Sequence, residues 1–408
     1  MRYRPVDIGS LAHVDPRTNP YNPGAGLRPA ALAGRDADIE AFEILADRAE
    51  RGLLGRSIVF SGLRGVGKTV LLAELAGRAL ERSWLVVQVE AEHTQPDHFS
   101  RALATELANA ARRQRSWFER TTDKIKQALG SITSFQAAVG AEGVSLGIER
   151  LPGRADTGNL QFDLVDLAEI VGAAARDDHI GVAVFIDEMQ DLTAEQMSAI
   201  CRSCHRAGQA ATPWFVIGGG LPNLPTRLAE AESYAERLFD YRKIDRLAID
   251  DATVALVEPA ADQHVAWDAD ATQFVLDESG GYPYFLQQFG KTVWDAAAGP
   301  DSIDLDDATI GVAEGQEQLD IGFYSSRWER ATKAEREFLR AMAPDNGEPS
   351  RIGDITERLN KARTQSLGPA RASLIGKGIV YAPEHGMIAY TVPGMADYVR
   401  RRDEDETE

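Results

Sequence analysis

Short apolar runs alternate with helical stripes along most of the chain. Ser57 to Phe60, Trp84 to Glu90, Val182 to Asp187 and Trp214 to Gly218 are β-rich runs. Helical patterns at Phe99 to Arg113, Leu164 to Ala175 and Ala194 to Ala207 separate them. An unbroken apolar run predicts a strand buried on both faces of a parallel sheet, and its alternation with helices predicts an α/β, doubly wound core. A further short strand is expected near Tyr241 to Leu247. Between Ser134 and Glu149, SFQAAVGAEGVSLGIE alternates apolar and polar residues, which predicts an inserted hairpin with no evident function.

The pattern changes in the last third. TKAEREFLRAMA, RIGDITERLN and TQSLGPARASLIGKGIVY predict three short helical segments, followed by a strand pair across the turn Glu384-His385-Gly386. The stripes Phe338/Leu339/Met342, Ile352/Ile355/Leu359 and Leu367/Ala370/Leu374 would meet in one small core. The acidic end, residues 403–408, reads as a solvated and disordered tail.

With 408 residues, 44% hydrophobic and 26% charged, the chain has room for two or three globular domains. The net charge of −19 argues against a surface coated for nucleic acid, though not against one basic patch. No apolar stretch approaches the roughly 20 residues that cross a bilayer, and the start, MRYRPVDIGSLAHVDP, has no apolar run behind its arginines. A cytoplasmic protein with no membrane partner is expected. The two cysteines lie in CRSCH, Cys201 to His205, which matches the haem-attachment string C-x-x-C-H. Their place in a helical stretch between two buried strands, without a second ligand cluster, favours a structural reading.

Gly62-Leu63-Arg64-Gly65-Val66-Gly67-Lys68-Thr69 fits G-x-x-x-x-G-K-[ST] between a strand and a helix. Glycines let the backbone curl so that successive N–H groups face a phosphate, and the following helix presents its positive end. Lys68 is expected at the β- and γ-phosphates, Thr69 on Mg²⁺, and Val70 closes the binding segment. VAVFIDEMQDL (Val182 to Leu192) supplies the second half: an apolar strand ending in a carboxylate pair, where open α/β sheets hold ligands. Asp187 is the expected Mg²⁺ contact, and Glu188 the expected base that polarises the attacking water.

With these motifs the chain resembles the AAA+ and STAND branches of the P-loop ATPases, especially origin-recognition-like and archaeal-type members. The resemblance implies ATP as the nucleotide; by residues alone, no guanine-reading N-K-x-D string appears. PAALAGRDADIEAF resembles the family's N-terminal box, with Gly34 and Arg35 over the adenine. GGYPYFLQQFG resembles the STAND-type G-x-P lid element, with Gly281 and Pro283 at the matching positions and the proline expected to approach the base. The implied organisation is a nucleotide core at 1–249, a helical lid at 250–322, a winged helix at 323–402 and the tail at 403–408.

Two departures stand out. The usual polar sensor beyond the fourth strand is replaced by Gly218-Gly219-Gly220, with Asn223 the nearest polar side chain, and GGYPYFLQQ has no sensor arginine. Fewer partners for transition-state charge imply slow hydrolysis, hence a switch. Arg237 matches an arginine finger or γ-phosphate sensor, or is a surface ion-pair residue.

From Lys361 to Pro383 the charged residues are Lys361, Arg363, Arg371 and Lys377, with no acid among them. The helix-helix-helix-wing order resembles a winged helix, so these residues suit double-stranded DNA; packing on the protein's own core or binding another protein remains open. ARRQRSWFER (Ala111 to Arg120) suits either nucleic acid or an amphipathic helix with Trp117 and Phe118 in the core. Three functions follow: a nucleotide switch, an oligomeric DNA-loading or remodelling ATPase, and a signalling or defence scaffold whose winged helix binds protein.

Overall fold

The apolar runs become β1 (Ser57–Ser61), β2 (Leu85–Glu90), β3 (Val182–Asp187), β4 (Trp214–Gly220) and β5 (Phe239–Lys243). The computed structural model describes residues 14–92, 96–113 and 160–405, which fall into two units. One unit comprises Ala37–Leu63 and Lys68–Ile244; the other comprises the chain up to Asp36, Arg64–Gly67 and the chain from Asp245.

In the first unit the strands pair in parallel in the order β2-β3-β4-β1-β5, the α/β core that the alternation predicts. Each strand divides its side chains between two layers. Val59, Val87, Val184 and Val216 share a core with Leu103 and Leu107 of α3 (Pro96–Arg113), Leu167 and Val171 of α4 (Leu160–Asp177), and Met197 and Ile200 of α5 (Ala194–Ala210). Towards the other face Phe185 lies 6.2 Å, ring to ring, from Phe42 of α1 (Asp36–Glu50), and Phe215 stacks on Trp84 at 5.7 Å. Covered on both sides, the strands need no polar face. Arg78 and Arg82 of α2 (Lys68–Glu81) fasten α1 through Glu43 and Glu50.

Strand ends shift slightly from expectation for local reasons. The Trp84 amide bonds to the Ala79 carbonyl and closes α2, so β2 starts one residue later. β5 starts earlier because Ser57 of β1 pairs with Phe239, and the Ile244 amide bond to the Ser61 carbonyl ends the ladder. Between β4 and β5 lie α6 (Leu224–Ala231) and α7 (Ala235–Leu238).

The second unit begins with α8 (Ile249–Asp262), α9 (Ala269–Ser279), α10 (Pro283–Ala296) and α11 (Leu305–Gln318). The N-terminal segment packs on them: the Trp267 indole donates to the Tyr21 hydroxyl at 2.9 Å, and the Trp294 indole to the Asp15 carbonyl at 3.1 Å. α12 (Ser325–Glu329), α13 (Lys333–Met342), α14 (Ile352–Arg358) and α15 (Gly368–Gly376) follow. After the short parallel pair β6 (Ala266–Trp267) and β7 (Ser302–Ile303), β8 (Ser350–Arg351), β9 (Val380–Tyr381) and β10 (Met387–Tyr390) form a small antiparallel sheet in the order β8-β10-β9. Phe338, Leu339, Met342, Ile355, Leu367 and Leu374 are buried together, with Ile352, Leu359 and Ala370 packed against them. Thr332 and Glu335 form the capping box that starts α13.

α16 (Met395–Asp405) is a correction to the predicted tail: the helix runs into the acidic stretch, where Asp403 pairs with Arg340. The expected hairpin at 134–149 and residues 114–120 of the second basic cluster lie outside the described residues. Among the described residues no helix is long and apolar enough to cross a membrane.

At the start of α10, Gly281 has φ 74° and its carbonyl accepts the Leu247 amide at 2.8 Å. A Cβ there would fall 2.8 Å from the Leu247 carbonyl oxygen. Gly281→Ala is expected to destabilise by about 1–3 kcal/mol, read as a lower urea midpoint at constant m-value.

Candidate functional site

β1 runs straight into the glycine-rich loop and α2 begins at Lys68, so the loop ends on a helix N-terminus. Gly65 and Gly67 both turn with positive φ, 85° and 90°. Lys68 is 7% exposed, and its Nζ donates to the Gly62 carbonyl at 3.0 Å and the Leu63 carbonyl at 2.8 Å. Thr69 Oγ1 donates to Asp187 Oδ2 at 2.6 Å. Loop threonine and strand carboxylate therefore occupy one place.

They meet because the strand between them ends without side chains. β4 lies between β1 and β3, and its last residues are Gly218, Gly219 and Gly220. A Cβ at Gly219 would lie 2.9 Å from Leu72 Cδ1 and 3.3 Å from Asp187 Oδ1. At Gly218 it would strike Met189 Sδ at 2.5 Å. The glycines that displace a polar sensor are the clearance through which α2 approaches the β3 edge. Asn223, the nearest polar side chain in sequence, has a buried Oδ1 with no hydrogen-bond partner among the described residues.

Glu188 follows in the left-handed region at φ 48°, ψ 38°, and its amide donates to Asp187 Oδ1 at 2.8 Å. Its carboxylate accepts from Gln190 Nε2 at 2.6 Å. Sequence reasoning missed Gln190; the signal is an uncharged polar residue between Met189 and Asp191, in the turn that leaves the carboxylate pair. Arg237 is exposed on α7 and makes no ion pair among the described residues.

In the other unit, Arg35 is 7% exposed, and its guanidinium donates to the Val66 and Asp245 carbonyls, each at 2.9 Å. Gly34 turns with φ 66° just before it. Pro283 is the first residue of α10, and the next amide, that of Tyr284, donates to the Gly65 carbonyl at 3.2 Å. The Arg64 amide donates to the Thr391 carbonyl at 2.9 Å. Arg35 thus binds main chain, a role that the N-terminal-box resemblance does not imply.

The basic residues of the C-terminal region have unequal surroundings. Among the described residues, Lys361 and Arg363 are exposed and make no ion pair, whereas Arg371 Nε is buried without a hydrogen-bond partner. Lys377 Nζ is bonded to Glu335 at 2.6 Å. The cysteines fit the structural reading: both are buried free thiols on α5, and burial pushes Cys201 up to about 12 and Cys204 up to about 11. The described residues contain no cluster of three or more His, Cys, Asp or Glu side chains that could hold a metal ion.

A parallel five-stranded sheet, a glycine-rich loop entering α2 and a carboxylate at the β3 edge define a P-loop nucleoside triphosphatase core. Residues 31–217 match the AAA ATPase domain family, and this part of the chain is an AAA ATPase domain. Residues 321–399 match a domain of unknown function, DUF8462. A search of curated proteins found no match.

Among solved structures, the Walker-type ATPase of Pyrococcus abyssi is similar at 15% identity and TM-score 0.56, covering 91% of this chain and 97% of that one. The Orc1 protein of Aeropyrum pernix, solved in complex with DNA, gives 15% identity and TM-score 0.45 over 92% and 94%. The RuvB Holliday junction branch migration motor of Thermotoga maritima gives 16% and 0.43 over 90% and 96%. The first likeness concerns the fold alone; the other two are too distant to bear on function.

The Lys377–Glu335 pair makes acid stability measurable. Burial by itself would raise the Glu335 carboxyl, but hydrogen bonds from Lys377, Ser373 and the Thr332 amide outweigh it and hold the group at about 2. A folded carboxyl below its ordinary 4.5 stabilises the fold above that pH, and the contribution fades as pH falls towards 2. Lys377→Gln is expected to lower stability at neutral pH and to flatten the fall between these values. Urea unfolding at a series of acidic pH values checks it; parallel wild-type and variant curves would contradict it.

Proposed function

We propose that the chain is an ATP-binding, slowly hydrolysing nucleotide switch of the AAA+/STAND type, whose state is read out by a C-terminal winged helix. The observation that carries this reading is the Thr69–Asp187 hydrogen bond, which joins the phosphate loop to the carboxylate edge in one site. Amides of Gly62 to Val70 cradle the phosphates, and Lys68 balances charge on the β- and γ-phosphates. The Thr69 hydroxyl and the Asp187 carboxylate are hard oxygen donors that suit Mg²⁺, and the bound ion would neutralise charge that develops on the transferred phosphoryl group. Glu188 accepts the proton of the attacking water.

Slow turnover follows from what the site lacks. The end of β4 offers no side chain, and α10 contains no arginine, so the transition state has few positioned donors. Nucleotide at about 100 times its dissociation constant, bound to one of two states only, biases them by about 2.7 kcal/mol. That suffices for a switch.

For the C-terminal module, double-stranded DNA is the favoured partner. Lys361 and Arg363 are exposed and make no ion pair among the described residues, while Lys377 is spent on Glu335, so the first two and Arg371 carry the proposal. An oligomeric DNA-loading ATPase is the second reading. Arg237, exposed and without an ion pair among the described residues, is available to a neighbouring copy. A scaffold that binds protein through the winged helix is what remains if DNA fails.

Lys68→Ala is expected to abolish ATP binding by calorimetry, and unchanged affinity would sink the site. Glu188→Gln should keep ATP affinity and stop phosphate release; wild-type release would remove Glu188 as the base. Labelled duplex titrated at two salt concentrations should bind more tightly at low salt, and more weakly with Lys361→Ala/Arg363→Ala. No binding at low salt would remove the DNA role, and DNA-stimulated release with assembly lost in Arg237→Ala would favour the oligomeric reading.

A further inference from the structure

The turn after β3 supplies a polar group where β4 has none. Gln190 is 5% exposed; its Nε2 donates to Glu188 Oε2 at 2.6 Å, and its Oε1 accepts the Leu221 amide at 2.9 Å. One side-chain amide thus ties the Glu188 carboxylate to the residue that follows β4. Its backbone is held as well: the Gln190 carbonyl accepts from Arg227 Nη1, and Arg227 Nη2 reaches the Leu192 carbonyl at 3.2 Å. Burial disfavours the Arg227 charge, so a partly desolvated cation is kept to pin this turn. A Cβ at Gly220 would fall 2.8 Å from Gln190 Oε1, so the last β4 glycine leaves room for the amide. Glu188, at φ 48°, holds a backbone conformation that costs about 1–3 kcal/mol and persists where its surroundings over-determine it.

We propose that Gln190 is a positioning residue for hydrolysis: its amide holds the Glu188 carboxylate in register with the end of β4 and replaces the polar side chain that β4 lacks. This rests on the reading of Glu188 as the base. Gln190 acts through Glu188, to which its side-chain amide donates. A merely structural role, satisfying the Leu221 amide, would need only the acceptor oxygen.

Gln190→Glu keeps size and acceptor, and in its ionised form loses the donor and sets a like charge against Glu188. Phosphate release is measured on the full chain with ATP and Mg²⁺, beside calorimetric ATP affinity. Gln190→Glu is expected to lower kcat about 100-fold, the scale of a catalytic group displaced by about 1 Å, with KM and calorimetric affinity unchanged. Gln190→Met, which lacks donor and acceptor, should lose as much and carries the test should the glutamate variant not fold. Wild-type kcat in Gln190→Glu, or a loss shared equally by kcat and affinity, would overturn the inference while the base assignment stands. Wild-type release by Glu188→Gln would instead remove the base assignment, and this inference with it.

Discussion

The candidate site depends on one close approach: the Thr69 hydroxyl on the Asp187 carboxylate at 2.6 Å, past a strand end that carries no side chains. In a parallel sheet, β1 and β3 are separated by β4. Any side chain at Gly219 would press on Leu72 and Asp187 together, so α2 could not settle against the strand edge without local movement. The same three residues that look, by position, like a missing sensor are therefore what lets phosphate loop and carboxylate share a place.

Polar groups in both units are spent sparingly on main chain. Arg35 gives its guanidinium to the carbonyls of Val66 and Asp245, and Arg227 gives its own to those of Gln190 and Leu192. A buried guanidinium needs acceptors to offset its desolvation, and carbonyls supply them without introducing a second charge. Arg35 thereby holds part of the phosphate loop, while Arg227 holds the turn that carries Glu188 and Gln190. Glu335 serves twice: it completes the capping box of α13 and pairs with Lys377. That second use takes Lys377 from the basic residues that a groove-binding surface could spend.

Much of this was legible from the order of residues. The strands showed as apolar runs because both faces of the sheet are covered, and the C-terminal core showed as helical stripes meeting at Phe338, Ile355 and Leu374. The loop's glycines, Lys68, Thr69 and the Asp187–Glu188 pair were legible because their chemistry demands those residue types at local spacings. α16 was not, because its acidic stretch gains helical support from Arg340, a partner distant in sequence. Arg35's true partners were hidden for the same reason: Val66 and Asp245 lie far along the chain, and backbone carbonyls leave no mark in composition.

What the residues determined alone is therefore the set of local devices: buried strands, a phosphate-cradling turn, a carboxylate edge, capped helices. Each is encoded within a few positions, where period, φ preference and side-chain type act directly. Tertiary structure decided which devices meet. Only the parallel order of strands put glycines between Thr69 and Asp187 and seated Gln190 between Glu188 and Leu221, and only the packing of the C-terminal helices drew Lys377 onto Glu335. Such meetings depend on distances between residues far apart in sequence, which close packing sets and local pattern does not contain.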